Sequence, residues 1–396
     1  MSRPEPAAPR APDLAEIAEA ARAGGRIALD TEFMGEGRYR TLLCLIQLAV
    51  PGRDPGTPER IELVDPLAED VDWAPLAGVL ADPDVQVVVH AGRQDIALIR
   101  RRLQTEVCNV FDTQVAAGFA GMPAQASYET LLARLLDVRL SKSASFTRWD
   151  ARPLSPEQQR YAREDVVHLL ELAAELERRL TELGRLQWAR EECEPLQDSS
   201  DERNLDTVFA RLPRVRNLNP TSQMVARELV RWREEIASTQ DRPVQSVLGD
   251  AALMEIAKRR PTSTERLAQI RGVNRGSLRR QGRELLDAIK RGSERTPDAL
   301  PPYSRPPLPD PDDAPLIALA EALTRARTHA AGLAYELLAS RADLLAIVVA
   351  RRLGGEDADV RTLRGWRREL VGEELLELLD GRLSLSVHAG KLRVRS

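Results

Sequence analysis

Cysteine is scarce in this chain, with three in 396 residues. Cys44, Cys108 and Cys193 are odd in number and none lies at metal-ligand spacing from another. That excludes a disulfide framework and a cysteine-built metal site, and it fits a reducing cytoplasm. No apolar run approaches the roughly 18 residues of a membrane-spanning helix, so no membrane partner is expected. Residues 1–12 are rich in Pro and Ala but lack an apolar stretch, so they read as a disordered N-terminus and not as a signal peptide. Net charge is only −4, which singles out no partner. Short-period solenoid repeats are lacking as well.

What is present is an uneven charge and a handful of acids carried by apolar elements. Residues 221–295 hold 16 Lys and Arg against 10 Asp and Glu, a net of +6, which leaves −10 for the remainder. A basic segment beside an acidic one is compatible with a nucleic-acid-binding module joined to a carboxylate metal site. The length suggests two or three domains, and a hydrophobic content of 43% is enough for packed cores.

The patterning predicts a helix over 13–23, strands over 26–30, 41–50, 60–64 and 85–89, and a short helix over 73–81. Helices follow over 94–103, 112–120, 127–137 and 156–180. The run at 85–89 is almost wholly aliphatic, as expected of a strand covered on both faces. Strands first and alternating helices afterwards indicate an α/β domain over 13–195. Residues 196–220 read as a polar, irregular linker, and 221–297 as a helical domain. Seven prolines between 301 and 315 make 298–314 a stiff spacer. A last helical segment, 315–396, ends in an alternating, unassigned tail at Leu383–Val387.

Asp30 and Glu32 are two apart on a strand, so their side chains project from one face. Two carboxylates at the end of a buried strand are expensive unless cations pair with them, or else they form a solvated strand end. Asp95 follows the run Val87-Val88-Val89-His90 and falls in the first turn of a helix. Tyr161 and Asp165 are four apart, which stacks them on one helix face. Acids held by rigid elements repel one another unless a cation lies between them, the arrangement that two-metal phosphoryl chemistry requires.

The order D-x-E, then Asp after an aliphatic strand, then Y-x-x-x-D resembles the ribonuclease D family of DEDD exonucleases with a tyrosine in the third motif. Leu42-Leu43-Cys44-Leu45-Ile46-Gln47-Leu48-Ala49, Phe111-Asp112-Thr113-Gln114, Ser127-Tyr128 and Trp149 to Ser155 extend the likeness over about 13–195. The resemblance implies an RNase H-like fold, a mixed central sheet flanked by helices. It implies that Asp30, Glu32, Asp95 and Asp165 hold two Mg²⁺ or Mn²⁺ ions, with Asp30 bridging, and that Tyr161 orients the attacking water. Hard oxygen ligands suit Mg²⁺. Products would be nucleoside 5′-monophosphates released one at a time from a 3′ end, with tRNA precursors or other structured RNAs the family-typical partners and no obligate protein partner implied.

Thr31 and Phe33 flank the catalytic strand, where backbone or ring could touch the terminal nucleotide; core packing is the other reading of Phe33. His90 either contacts substrate or is structural. Lys142, Arg148, Trp149 and Arg152 form a basic-aromatic patch that tracks a phosphate backbone or is an ordinary charged loop.

Residues 221–295 resemble an HRDC domain, the helical module shared by ribonuclease D and RecQ helicases. The likeness rests on Leu229, Trp232, Arg233, Asp241, Arg242, Pro243, Asp250, Leu253, Ile256, Pro261, Leu267, Ile270 and Gly272. Arg271, Arg275 and Arg279 crowd around the turn at Gly272, where they meet phosphates or form a solvated face. Residues 315–380 read as a second, diverged HRDC-like unit. The leading expectation is therefore a 3′→5′ exoribonuclease; the alternative is a 3′→5′ DNA exonuclease of the Werner or proofreading type.

Overall fold

The run 42–50, with four Leu, Ile46 and Val50, is buried at nearly every position and pairs antiparallel with 26–34. A computed structural model describes residues 13–52, 59–140, 148–296 and 310–395. Its strands are β1 (Arg26–Met34), β2 (Leu42–Val50), β3 (Arg60–Val64), β4 (Gln86–Val89) and β5 (Val110–Asp112), in the sheet order β3-β2-β1-β4-β5. The β1–β2 and β2–β3 pairs are antiparallel; β1–β4 and β4–β5 are parallel. The mixed sheet flanked by helices agrees with the sequence expectation. Strand β5 was not expected: it has three residues, all buried, too short for any periodicity to register.

Helices α1 (Leu14–Gly24), α2 (Ala74–Leu80) and α3 (Arg93–Leu103) lie on one face of the sheet. There Ile17, Leu29, Leu48, Leu76, Val87, Ile96 and Ile99 share a core. The opposite face carries α4 (Thr113–Phe119), α5 (Tyr128–Leu131) continuing as a π-helical turn, α6 (Pro156–Glu164), α7 (Leu169–Glu182) and α8 (Leu186–Cys193).

Residues 196–220 are not the irregular linker expected. They contain α9 (Leu205–Ala210), capped by the Asn204 side chain. Phe209, Leu212 and Val215 are buried against α10 (Pro220–Thr239). The apolar residues of this stretch are enough to pack once a partner helix is present, but too scattered among polar ones to declare a helix from sequence. Around α10 lie α11 (Val244–Val247), α12 (Asp250–Arg259), α13 (Thr264–Ala268) and α14 (Arg275–Glu294). They enclose Leu229, Trp232, Leu253, Ile256, Leu267, Ile270 and Leu285.

The last part contains α15 (Asp313–Ala331), α16 (Tyr335–Leu338), α17 (Arg341–Arg352), α18 (Gly365–Arg367) and α19 (Glu373–Leu379). The helices end at Leu379, close to the limit of about 380 expected for them. The alternating tail forms a hairpin, β6 (Ser384–His388) with β7 (Lys391–Arg395). Its turn residues Ala389 and Gly390 both have positive φ, the backbone that suits a two-residue hairpin loop.

This part shares a core with the second face of the five-stranded sheet: Ala28, Phe111, Phe119 and Leu172 belong to one cluster with Leu323, Ile347, Trp366 and Leu375. Trp366 stacks on Trp188 at 5.1 Å and meets Phe119 edge-on at 5.2 Å. No helix of the described residues is long and apolar enough to cross a membrane.

Candidate active site

Strand β1 brings the first two acids to the sheet. Asp30 lies opposite Gln47 and Glu32 opposite Leu45 on β2, and the register shifts between Glu32 and Phe33. A bulge there re-aims the strand beyond the acids, and Phe33 is left 39% exposed.

Asp95 stands in the first turn of α3. The turn that starts this helix is held from outside it. Asp112, capping α4, accepts hydrogen bonds from the Ala91 and Gly92 N–H groups at 3.0 and 2.9 Å and from Gln114 N–H at 2.8 Å. Gly92 is required there, because a Cβ would lie 2.5 Å from the Val89 side chain. The Asp95 carboxylate accepts from the Thr31 hydroxyl, which ties α3 to β1.

Helix α6 begins at a capping box between Ser155 and Gln158, with Pro156 in its first turn. It ends where Asp165 N–H bonds the Tyr161 carbonyl at 3.2 Å. The single helix expected over 156–180 is therefore two. The break at 165–168 has no Gly or Pro to announce it. A tertiary contact supplies what the lost helical bond would have given: the His168 N–H donates to the Tyr128 hydroxyl at 3.2 Å.

The acids of these elements act on one another. Asp30 is pushed well above the ordinary carboxylate range, first by removal from solvent and then by the charges of Asp95, Asp165 and Glu32. Glu32 rises to about 8, through burial first and then Asp165 and Asp95. Asp165 rises to about 7, through burial and then the charges of Glu164 and Glu129. Burial also raises Asp95, against the lowering effect of its Thr31 hydrogen bond. The Tyr161 phenol is raised by burial, then by Asp165, Glu32 and Asp30, so it is protonated at neutral pH.

Such a set fits hard divalent cations in donor chemistry: all the donors are carboxylate oxygens, and a cation would replace repulsion with attraction. The set is not a closed cage as it stands. Among the described residues no three His, Cys, Asp or Glu side chains are grouped to hold one ion.

The remaining predicted residues divide. The Thr31 side chain is buried and its hydroxyl is committed to Asp95, so any contact of Thr31 with substrate is left to its backbone, as expected from the sequence. His90 is anchored, with Nδ1 2.9 Å from Thr113 Oγ1 and its ring 5.6 Å from that of Tyr128. Trp149 is 3% exposed and packs 6.0 Å from the Tyr161 ring. It supports the site from beneath and cannot stack a base.

Arg152 is equally engaged: it holds Asp65 at 2.5 and 2.7 Å and the carbonyls of Cys44 and Trp149 at 2.6 and 2.7 Å. The expected phosphate-tracking role is corrected for both. Lys142 and the Arg275 side chain lie outside the described residues. Arg271 and Arg279 are exposed.

Sequence reasoning missed the orienting part of Asp112 and the place of Tyr128. Asp112 carries an N-cap signature, an acid where an aliphatic strand gives way to a helix. Tyr128 has no such local sign. Its phenol is raised by burial, with Asp165, Glu59 and Asp30 adding to the shift, which places it beside the acids.

A family model described as 3'-5' exonuclease matches residues 10–181, and an HRDC domain model matches 222–289. The ribonuclease D of Gluconacetobacter diazotrophicus is 36% identical over 96% of this chain and 94% of its own length. That of Granulibacter bethesdensis is 37% identical, with the same two shares. The crystal structure of Escherichia coli RNase D, an exoribonuclease involved in structured RNA processing, matches with a TM-score of 0.77 and 29% identity. The match covers 93% of this chain and 96% of that one. A DNA exonuclease is not favoured by these likenesses.

Proposed function

Because the chain belongs to the ribonuclease D family and is a 3′→5′ exoribonuclease, we propose that it trims structured RNA 3′ ends, tRNA precursors among them, by two-metal hydrolysis in the cytoplasm. Asp30, Glu32, Asp95 and Asp165 would hold two divalent ions, Mg²⁺ or Mn²⁺. Such ions, when bound, lower the pKa of a water and neutralise the leaving 3′ oxygen.

The chain's own groups do the rest. Tyr161, protonated, orients the attacking water by hydrogen bonding, together with Glu32. Thr31 fixes one Asp95 oxygen and so orients that carboxylate. Phe33 offers an exposed ring to the terminal nucleotide, and stacking of a base contributes about 1–3 kcal/mol. His90 would line the same end of the site. Arg271, Arg275 and Arg279 of the HRDC domain would meet phosphates of the RNA body, and residues 315–396, an HRDC-like unit in this reading, would add to the RNA surface. No obligate protein partner is needed.

The observation that supports this reading is the raised Asp30 carboxyl, on which Asp95, Asp165 and Glu32 all act. Three separate elements deliver those charges to one place. The test is incubation of a 3′-tailed RNA and the matching DNA with Mg²⁺, Mn²⁺ or chelator, beside Asp30→Ala and Tyr161→Phe. Stepwise shortening from the 3′ end, releasing 5′-monophosphates, is expected, and chelator and Asp30→Ala should both abolish it. Undiminished activity of Asp30→Ala would refute the site, and preference for the DNA would overturn the choice of polymer.

A further inference from the structure

The turn that follows the catalytic strand is held by the HRDC domain. Between β1 and β2 run Gly35, Glu36, Gly37, Arg38, Tyr39, Arg40 and Thr41. Asp241, the second residue beyond α10, divides its carboxylate between two groups of this turn. One oxygen pairs with Arg38 Nη1 at 2.7 Å, and the other accepts the Tyr39 N–H at 3.2 Å. Asp241 itself sits in left-handed backbone, φ 42°, a conformation that Asp tolerates better than most residues.

The Tyr39 ring packs against the edge of the HRDC core. Its phenol lies near the buried Glu234, and Arg203 grips that carboxylate at 2.7 and 3.0 Å. Beyond the turn, the Thr41 carbonyl accepts from Arg101 of α3, the helix that carries Asp95.

The turn begins at Gly35, after Phe33 and Met34 have resumed pairing with β2 beyond the bulge. Phe33 is 39% exposed, and it lies in the last two pairs of the ladder that this turn closes, Phe33 with Leu43 and Met34 with Leu42, so the place where the turn is held bears on where the ring stands. We infer that Asp241 is a positioning residue of the exonuclease site. By clasping Arg38 and Tyr39 it sets the turn, and through the turn it sets the Phe33 ring that receives the 3′-terminal nucleotide. The HRDC domain thereby acts on the first nucleotide bound as well as on the RNA body. This inference rests on the proposed role of Phe33.

Steady-state kinetics on a 3′-tailed RNA, with the full-length protein, tests both. Asp241→Asn, Phe33→Ala, their double variant and Arg38→Ala are compared, each with a thermal melt. Phe33→Ala should raise KM about ten-fold, as loss of a stacking contact does. Asp241→Asn should raise KM about five-fold with kcat within about two-fold, and Arg38→Ala should follow it, while Arg38→Lys restores most of the affinity. In the Phe33→Ala background Asp241→Asn should add nothing, since the ring it positions is gone.

A KM unchanged in Asp241→Asn while Phe33→Ala raises it would overturn the clasp and leave the Phe33 reading standing. An undiminished effect of Asp241→Asn in the Phe33→Ala background would do the same. An unchanged KM in Phe33→Ala would remove the Phe33 reading and this inference with it. A purely structural Asp241 would lower the melting temperature with KM unmoved, which also counts against the proposal. Should Asp241→Asn fail to fold, Arg38→Ala carries the same comparison.

Discussion

The Thr31 hydroxyl donates to the Asp95 carboxylate and so joins the catalytic strand to the first turn of α3. A hydrogen bond to a charged group contributes roughly 1.5–3 kcal/mol, and here its role is orientation. Thr31→Val keeps the shape and removes the donor. It should lower kcat/KM by about ten-fold or more, whereas Thr31→Ser should stay near the parent. Equal activity of Val and Ser variants would show that the bond does not orient Asp95.

Metal-free protein should lose stability as pH rises. Asp30, Glu32 and Asp165 have folded pKa values raised above the roughly 4 of an unfolded chain. Their contribution is complete below the unfolded value and disappears as pH climbs through about 7 for Asp165 and about 8 for Glu32. The melting temperature in chelator should therefore be lower at pH 8.5 than at pH 5.5. Mg²⁺ should raise it most at the higher pH, because the ion prefers ionised carboxylates. Asp30→Asn should flatten the slope. A slope identical in parent and Asp30→Asn would mean that the acids do not act on one another.

Trp366→Ala removes a ring that is 6% exposed and touches both Trp188 and Phe119. Truncation of a buried Trp costs about 3–5 kcal/mol, so the urea midpoint should fall by a corresponding amount. The shared cluster predicts one cooperative transition for the C-terminal helices and the exonuclease sheet together. Two separated transitions in the parent protein would contradict it.

Arg152→Ala should act on stability and leave RNA affinity alone. The guanidinium bridges the Asp65 carboxylate and the Cys44 and Trp149 carbonyls, and breaking such a partly buried network costs about 1–3 kcal/mol. A lower melting temperature with unchanged KM is expected. A rise in KM without a change in melting would restore the phosphate-tracking role.

The acids and Tyr161 were legible in the sequence because each belongs to a local pattern: two acids at strand spacing, one after an aliphatic run, a tyrosine and an acid at helical spacing. The long strands β1 and β2 were legible for the same reason. What was not legible depends on partners distant along the chain. The break before His168 needs the Tyr128 hydroxyl, 40 residues away. The fate of Arg152 needs Asp65, 87 residues away. Trp149 looked like a stacking platform because an aromatic among basic residues reads the same whether its ring faces water or Tyr161. The Asp241 clasp joins residues 203 positions apart, and no periodicity encodes that.

The cluster that unites Ala28 and Phe119 with Leu323, Trp366 and Leu383 bears on how far the chain can be shortened. A fragment that stops before Asp313 would leave the apolar sides of Phe119 and Trp188 facing water, so it should be less soluble than the protein that carries Leu323 and Trp366.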